Sequence, residues 1–155
     1  MSLNIPFVRL LREYGVEHFY DDLKKMGITT LNRKAEDYGL SLILGGAECK
    51  LWDLCNMYGG MASVLRHYNE CDGVCFDHEF RRLRLWADER VDSVEVRNNV
   101  VNAAAVWLTF RALQDVERPD LESGWKNFAS SMNLSWKTGT SFGFRDAWAV
   151  GVTPE

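Results

Sequence analysis

A lysine, two threonines and a glycine stand together near the carboxyl end of this 155-residue sequence. They belong to the run Lys137-Thr138-Gly139-Thr140-Ser141, which lies between two strongly apolar, strand-like stretches. Ammonium and hydroxyl groups donate hydrogen bonds, so such a cluster suits a binding site. Exposed hairpins carry the same residue types at their turns, and this leaves a structural role open.

A second group has side chains of the types that bind zinc: His67, Cys71, Cys75 and His78. On one straight helix the two histidines would lie about 16 Å apart at ~1.5 Å per residue, and each ligand must come within about 2.3 Å of the ion. A turn at residues 72–73 would close this gap. We expect no metal site here and favour a local disulfide or unpaired thiols, because four cysteines fit either redox state.

The composition predicts one folded domain. A hydrophobic content of 46%, with six Trp and eight Phe, is ample material for a core in a chain of this length.

The 18 Lys and Arg are outnumbered by 22 Asp and Glu, which gives a formal net charge of -4. Since nucleic-acid binding depends on a basic surface, we expect no nucleic-acid partner.

No run approaches the roughly 20 apolar residues that are needed to cross a bilayer. The first residues also lack the basic and apolar regions of a signal peptide. The expectation is therefore either a cytosolic protein or a piece of a longer exported one.

Helical spacing predicts two short helices at the amino end, over residues 4–14 and 16–26. Pro6 suits a first helical turn, Gly15 separates the two helices, and Gly27 suits a carboxyl cap. The residues predicted to face the core are Phe7, Leu10, Leu11 and Tyr14, then Val16, Phe19, Tyr20 and Leu23. Periodicity alone does not assign the short apolar run 40–46 to a strand or a helix.

Two longer helices are predicted on either side of an irregular segment. The first spans residues 50–68, where the pair Gly59 and Gly60 indicates a close contact. The second is capped by Asn102 and reaches Val116. Their predicted core positions are Leu51, Leu54, Cys55, Tyr58, Met61, Ala62 and Leu65, and Val106, Trp107, Phe110, Leu113 and Val116.

Alternation of apolar residues predicts strands at 134–137 and 147–152, joined by a loop that contains Gly139 and Gly143. Antiparallel pairing is the simplest topology for them. The prediction is therefore an α+β domain over 1–155, divided into a helical lobe at 1–70, an irregular excursion at 71–101, and a helix with a hairpin at 102–155.

The tripeptide Lys137-Thr138-Gly139 matches the Lys-Thr-Gly element of serine acyl-enzymes that bind penicillin. The match continues through residues 140–151, and Ser2-Leu3-Asn4 matches their Ser-x-Asn element. With segments 40–58 and 104–109, nearly the whole chain resembles the transpeptidase domain of 1C-type class A penicillin-binding proteins, the bifunctional peptidoglycan synthases.

The resemblance implies an incomplete penicillin-binding transpeptidase fold, of the type shared with serine β-lactamases. It implies a D,D-transpeptidase that crosslinks peptidoglycan stem peptides through an acyl-serine intermediate, without a cofactor. The implied partners are D-alanyl-D-alanine stem peptides and β-lactams. The implied location is the periplasm, in a parent protein held to the membrane by an anchor outside this sequence.

The same resemblance implies roles for particular residues. Lys137 supplies positive charge, and the hydroxyls of Thr138 and Thr140 hold the substrate carboxylate, with Ser141 beside them. The amide of Thr140 is an oxyanion-hole donor, and Gly139 leaves room for a peptide that pairs with the strand edge. Across the cleft, Ser2 takes part in proton transfer and Asn4 bonds the peptide.

One part of the pattern is missing, because the nucleophile motif Ser-x-x-Lys should precede Ser-x-Asn. The sequence contains Ser123-x-x-Lys126 and Ser131-x-Asn133, but short patterns arise by chance and their context predicts a loop. We therefore expect this chain to be inactive by itself. The alternative is a non-catalytic helical interaction module with a structural hairpin. In either case an unpaired sheet edge favours a homodimer.

Overall fold

The computed structural model describes residues 3–70, 80, 86, 100–114, 134–141, 143 and 145–153. Most of the predicted excursion at 71–101 lies outside this part of the chain. The elements in the described residues are α1 Asn4–Tyr14, α2 Val16–Lys25, α3 Ala35–Tyr38, a 3₁₀ helix Gly39–Leu44, α4 Leu51–Glu70, α5 Ala103–Gln114, β1 Ser135–Thr140 and β2 Ala147–Val152.

The first core cluster joins α1, α2, α3 and the 3₁₀ helix. Its buried members are Leu11, Tyr20, Ile28, Leu31, Ala35, Tyr38 and Leu42, with Val16, Phe19 and Leu23 packed against them. The prediction that one face of α2 packs into the core is therefore confirmed. The hydroxyl of Tyr20 donates to the carbonyl oxygens of Arg33 at 2.6 Å and Leu31 at 3.2 Å. These bonds hold the loop after α2 against the helix.

The apolar face predicted for α1 is only partly buried. Leu11 is 2% exposed, but Phe7, Leu10 and Tyr14 are 51–58% exposed. The helix packs on α2 and the 3₁₀ helix with the side that bears Leu11. Sequence periodicity finds an apolar stripe but does not show which part of it a neighbour covers.

The run that periodicity left unassigned forms the 3₁₀ helix Gly39–Leu44. Leu42 is its buried residue, and Gly45 follows it in a left-handed conformation with a φ of 89°. A glycine takes this conformation without the steric cost that a β-carbon adds. Gly45 thus ends a short helical turn in which Leu42 is the buried residue.

The apolar face predicted for α4 is only partly confirmed. Leu51 and Cys55 are exposed, while four predicted residues are partly buried against the cluster that α4 forms with α5: Tyr58, Met61, Ala62 and Leu65. The fully buried residues of the helix are Asp53, Asn56, Gly60 and Val64, so half of them are polar. The Asp53 carboxylate accepts hydrogen bonds from the Thr29 amide at 2.8 Å and the Thr29 hydroxyl at 2.7 Å. A buried carboxylate needs such partners to offset its desolvation. These bonds tie the loop before α3 to the first turn of α4.

The absence of a side chain at Gly60 lets the Phe80 ring pack closely against α4, whereas nothing packs closely against Gly59. A β-carbon built at Gly60 would overlap the ring of Phe80, whereas one built at Gly59 meets nothing within 4 Å.

Gly60→Ala should therefore destabilise the chain by about 1–3 kcal/mol, the usual cost of overpacking. Gly59→Ala, on the exposed side of the same helix, should stabilise it by up to ~1 kcal/mol through helix propensity. Denaturant unfolding of both variants tests this, and equal effects would contradict it.

The second core cluster joins α4, α5 and the sheet. Its buried members are Val64, Ala103, Val106 and Phe110. The predicted cap of α5 is confirmed, because the Asn102 side chain accepts the Ala105 amide at 2.8 Å. Val106 and Phe110 are buried, as predicted. Trp107 was also predicted to face the core, but it is 54% exposed because it lies on another side of α5. Val116 lies outside the described residues.

The two strands pair antiparallel, as predicted. Their register sets Ser135 opposite Val152 and Thr140 opposite Ala147. The prediction ended the first strand at Lys137 and placed Gly139 in the loop, and this boundary is wrong. Gly139 pairs with Trp148 inside the ladder, so the strand continues through the two threonines, which favour extended backbone.

Candidate functional site

The predicted substrate-binding residues Lys137, Thr138, Gly139 and Thr140 all lie on β1. Because side chains of a strand alternate between its two faces, Lys137 shares a face with Ser135 and Gly139. Thr138 and Thr140 share the opposite face, so their hydroxyl groups lie on the same side of the sheet. The strand thus brings a cation and two hydroxyls to adjacent positions.

β1 is held against α5 at its first residue. The hydroxyl of Ser135, which is 3% exposed, donates to the Phe110 carbonyl oxygen at 3.0 Å. Val152, opposite Ser135 on β2, packs against the second core cluster. The beginning of β1 is therefore fixed on the helices, while Gly139 and Thr140 at its far end are exposed.

The backbone amide of Thr140 faces the edge of β1 that lies away from β2. The Ser141 amide donates to the Asp146 carbonyl oxygen at 2.9 Å, so the backbone of Ser141 is directed towards β2. Neighbouring residues of an antiparallel strand direct their N–H and C=O groups to opposite sides. The amide of Thr140 is therefore directed away from β2. In the described part of the chain β1 pairs with β2 alone, and an extended peptide could add to this edge.

Lys137 is half-buried, and its ammonium group donates to the Thr138 carbonyl oxygen. This contact folds the lysine side chain back along the strand that carries it. The positive charge is consequently held beside the segment that bears the two threonine hydroxyls.

The remaining residues of the stretch differ in their surroundings. A β-carbon built on Gly139 meets nothing within 4 Å, so packing within the described chain does not require a glycine there. The hydroxyl of Ser141 accepts the Asp146 amide at 2.8 Å and so closes the loop to β2. Asp146 was not among the predicted site residues, because the bond uses its backbone amide and so leaves no signal in the residue type.

Of the two residues predicted to face Lys137 across a cleft, Ser2 lies outside the described residues. Asn4 is the first residue of α1 and is exposed. α1 packs on α2 and the 3₁₀ helix, whereas β1 packs on α5 and β2. Asn4 and Lys137 therefore belong to different packing groups within the described chain, and their approach stays a prediction.

Cys49 and Cys55 are free thiols. Burial raises the pKa of the Cys49 thiol, and the nearby Asp53 carboxylate adds to this effect. Cys71, Cys75 and His78 lie outside the described residues, so neither their pairing nor the zinc constellation is tested. Among the residues that the structure does describe, no three His, Cys, Asp or Glu side chains are grouped as a metal would need.

Comparison with curated proteins finds Penicillin-binding protein 1C of Escherichia coli (strain K12), which is 34% identical over 151 residues. This match covers 97% of the present chain and 17% of that relative. No protein-family model and no solved structure matches the sequence. No helix among the described residues is long and apolar enough to span a membrane. The chain is thus similar, over nearly all of its length, to one segment of a penicillin-binding protein.

Proposed function

We propose that this chain is part of a peptidoglycan D,D-transpeptidase domain of the penicillin-binding type, with an incomplete form of that fold. The observation that carries the proposal is the position of residues 137–140 on a strand edge, where the Thr140 amide is directed outward. The similarity to Penicillin-binding protein 1C supports it, since the match covers nearly the whole chain.

In the proposed reaction, a serine hydroxyl attacks the carbonyl carbon between two D-alanines of a stem peptide. The peptide C–N bond breaks, the terminal D-alanine leaves with a proton, and an acyl-serine forms. An amine of a neighbouring stem peptide then attacks the ester carbonyl and releases the serine. The products are a new amide crosslink and the original serine.

Residues on β1 bind the substrate in this scheme. The hydroxyls of Thr138 and Thr140 hold the terminal carboxylate, and Lys137 supplies the compensating charge. The Thr140 amide donates to the oxygen that becomes negative in the tetrahedral intermediate, which is the role of an oxyanion-hole donor. Gly139 allows the peptide backbone to lie close to the strand.

The other catalytic groups come from elsewhere in the proposed domain. Asn4 bonds the peptide and Ser2 takes part in proton transfer, while the nucleophilic serine is outside these 155 residues. The proposed parent protein is membrane-anchored and periplasmic, and binds stem peptides and β-lactams. We also propose that the hairpin of β1 and β2 pairs with a second copy of the chain.

The 155-residue chain should bind a D-alanyl-D-alanine peptide without reacting with penicillin. We expect N-acetyl-Lys-D-Ala-D-Ala to shift the NMR resonances of the Thr138, Gly139 and Thr140 amides, and the L-Ala-L-Ala analogue to shift them less. Incubation with a fluorescent penicillin should leave no covalent label, because the nucleophile is missing. A covalent label would refute the assignment of the nucleophile. Equal shifts with both peptides would instead favour the alternative, a non-catalytic interaction module.

A further inference from the structure

A cleft of about 490 Å³ lies where the carboxyl halves of α4 and α5 meet the sheet. Ser135 at the start of β1 and Val152 at the end of β2 form its end wall. Thr140 lies five residues further along β1, about 17 Å away at ~3.3 Å per residue. The cleft is therefore separate from the edge that carries the proposed carboxylate site.

Arginines from both helices line this cleft. Arg66 belongs to α4 and Arg111 to α5, and both are exposed. Within the part of the chain that the structure describes, neither guanidinium is within 4 Å of a carboxylate. Among the described residues that line the cleft, two are basic and one, Glu70, is acidic, so these residues carry a net positive charge. A guanidinium group is well suited to a carboxylate, which it can bind through two parallel hydrogen bonds.

Apolar surface adjoins these charges. Trp107 lines the cleft and is 54% exposed, and the Arg111 guanidinium lies 5.8 Å from the centre of its ring. Leu65 and Phe110 continue the apolar wall, while Asn69 and Gln114 add amide groups that donate and accept hydrogen bonds. An exposed indole beside guanidinium groups suits a ligand with an apolar group next to a carboxylate.

We propose that this cleft binds an acidic peptide. A carboxylate side chain of the peptide lies between Arg66 and Arg111, and a neighbouring apolar side chain packs on Trp107. Asn69 and Gln114 bond the peptide backbone. The sign of the charge selects an acidic ligand, and the apolar wall selects a peptide over a small inorganic anion. This site does not depend on the proposed transpeptidase reaction.

The test uses the 155-residue chain and two probes, N-acetyl-Leu-Glu-amide and its neutral analogue N-acetyl-Leu-Gln-amide. NMR titration should show saturable shifts at the amides of Asn69 and Arg111, with at least tenfold weaker binding of the neutral probe. Replacing both arginines, R66Q with R111Q, should weaken binding of the acidic probe at least tenfold. R9Q changes an exposed arginine of α1 outside the cleft and should leave binding unchanged. Circular dichroism verifies that each variant is folded.

Three results would overturn the proposal. The first is equal binding of the acidic and neutral probes, since the arginines would then play no part in selection. The second is equal loss of binding in R9Q and the double variant, because this would indicate a general effect of net charge. The third is inorganic phosphate that binds as tightly as the acidic probe, because the cleft would then be a simple anion site.

Discussion

Replacing Thr140 by proline should slow acylation by a fluorescent penicillin about 10²–10³-fold, the usual cost of losing one oxyanion-hole donor. The measurement is made in a chimera in which this chain replaces the segment of Penicillin-binding protein 1C that it matches. Proline lacks the backbone N–H, and the amide of Thr140 is directed to the edge of β1 that lies away from β2. Proline is tolerated on an edge strand at such a position, so the β1–β2 ladder should persist.

Thr140→Ala is the matched control, because it keeps the amide and removes only the hydroxyl. It should weaken recognition of the substrate carboxylate by roughly 1.5–3 kcal/mol, the contribution of a hydrogen bond to a charged group, and leave the oxyanion contact intact. We expect single-turnover acylation by the fluorescent penicillin to be slower in Thr140→Pro than in Thr140→Ala. If Thr140→Pro is acylated at the unaltered rate, the amide has no part in the reaction.

Phe110→Ala should lower the free energy of unfolding of the 155-residue chain by about 3–5 kcal/mol. The ring is 8% exposed and lies in the second core cluster with Val64 and Val106. Its removal leaves a cavity between α4 and α5, next to the carbonyl that accepts the Ser135 hydroxyl. We expect the loss in urea denaturation and, with it, weaker attachment of β1 to the helices.

Trp107→Ala removes a larger side chain three residues earlier in the same helix and serves as the comparison. Because Trp107 is 54% exposed, the loss should be only about 1 kcal/mol, of which the contact with Arg111 accounts for part. A larger loss for Trp107 than for Phe110 would contradict the orientation of α5. The sequence pattern by itself favoured both positions equally.

The elements of the fold were predictable because local signals mark their ends. Gly15 separates α1 from α2, and the Asn102 side chain caps α5 as its residue type predicts. The buried faces were less predictable, since burial depends on neighbours that are distant in sequence. Asp53 is buried because Thr29 satisfies its carboxylate, and no periodicity of apolar residues reveals such a pair.

The candidate site was likewise predictable in part: its residues could be identified from the sequence, but their arrangement could not. The Lys-Thr-Gly run and its strand-like flanks identified the residues, but the ladder extends three residues further than predicted. It does so because Gly139 pairs with Trp148, a cross-strand contact that the sequence does not display. The direction of the Thr140 amide follows from this register and could not be inferred before it. The cleft lined by Arg66 and Arg111 forms where α4 packs against α5, and no sequence motif marks it.

Covalent labelling of the unaltered chimera by a fluorescent penicillin is the most direct test that residues 137–140 form the substrate strand of an acyl-serine transpeptidase. The account predicts one label per chain, lost when an excess of unlabelled penicillin is added first, and strongly slowed by Thr140→Pro. Thermal unfolding provides the control that the chimera is folded. A chimera that unfolds cooperatively but takes up no label would contradict the central claim.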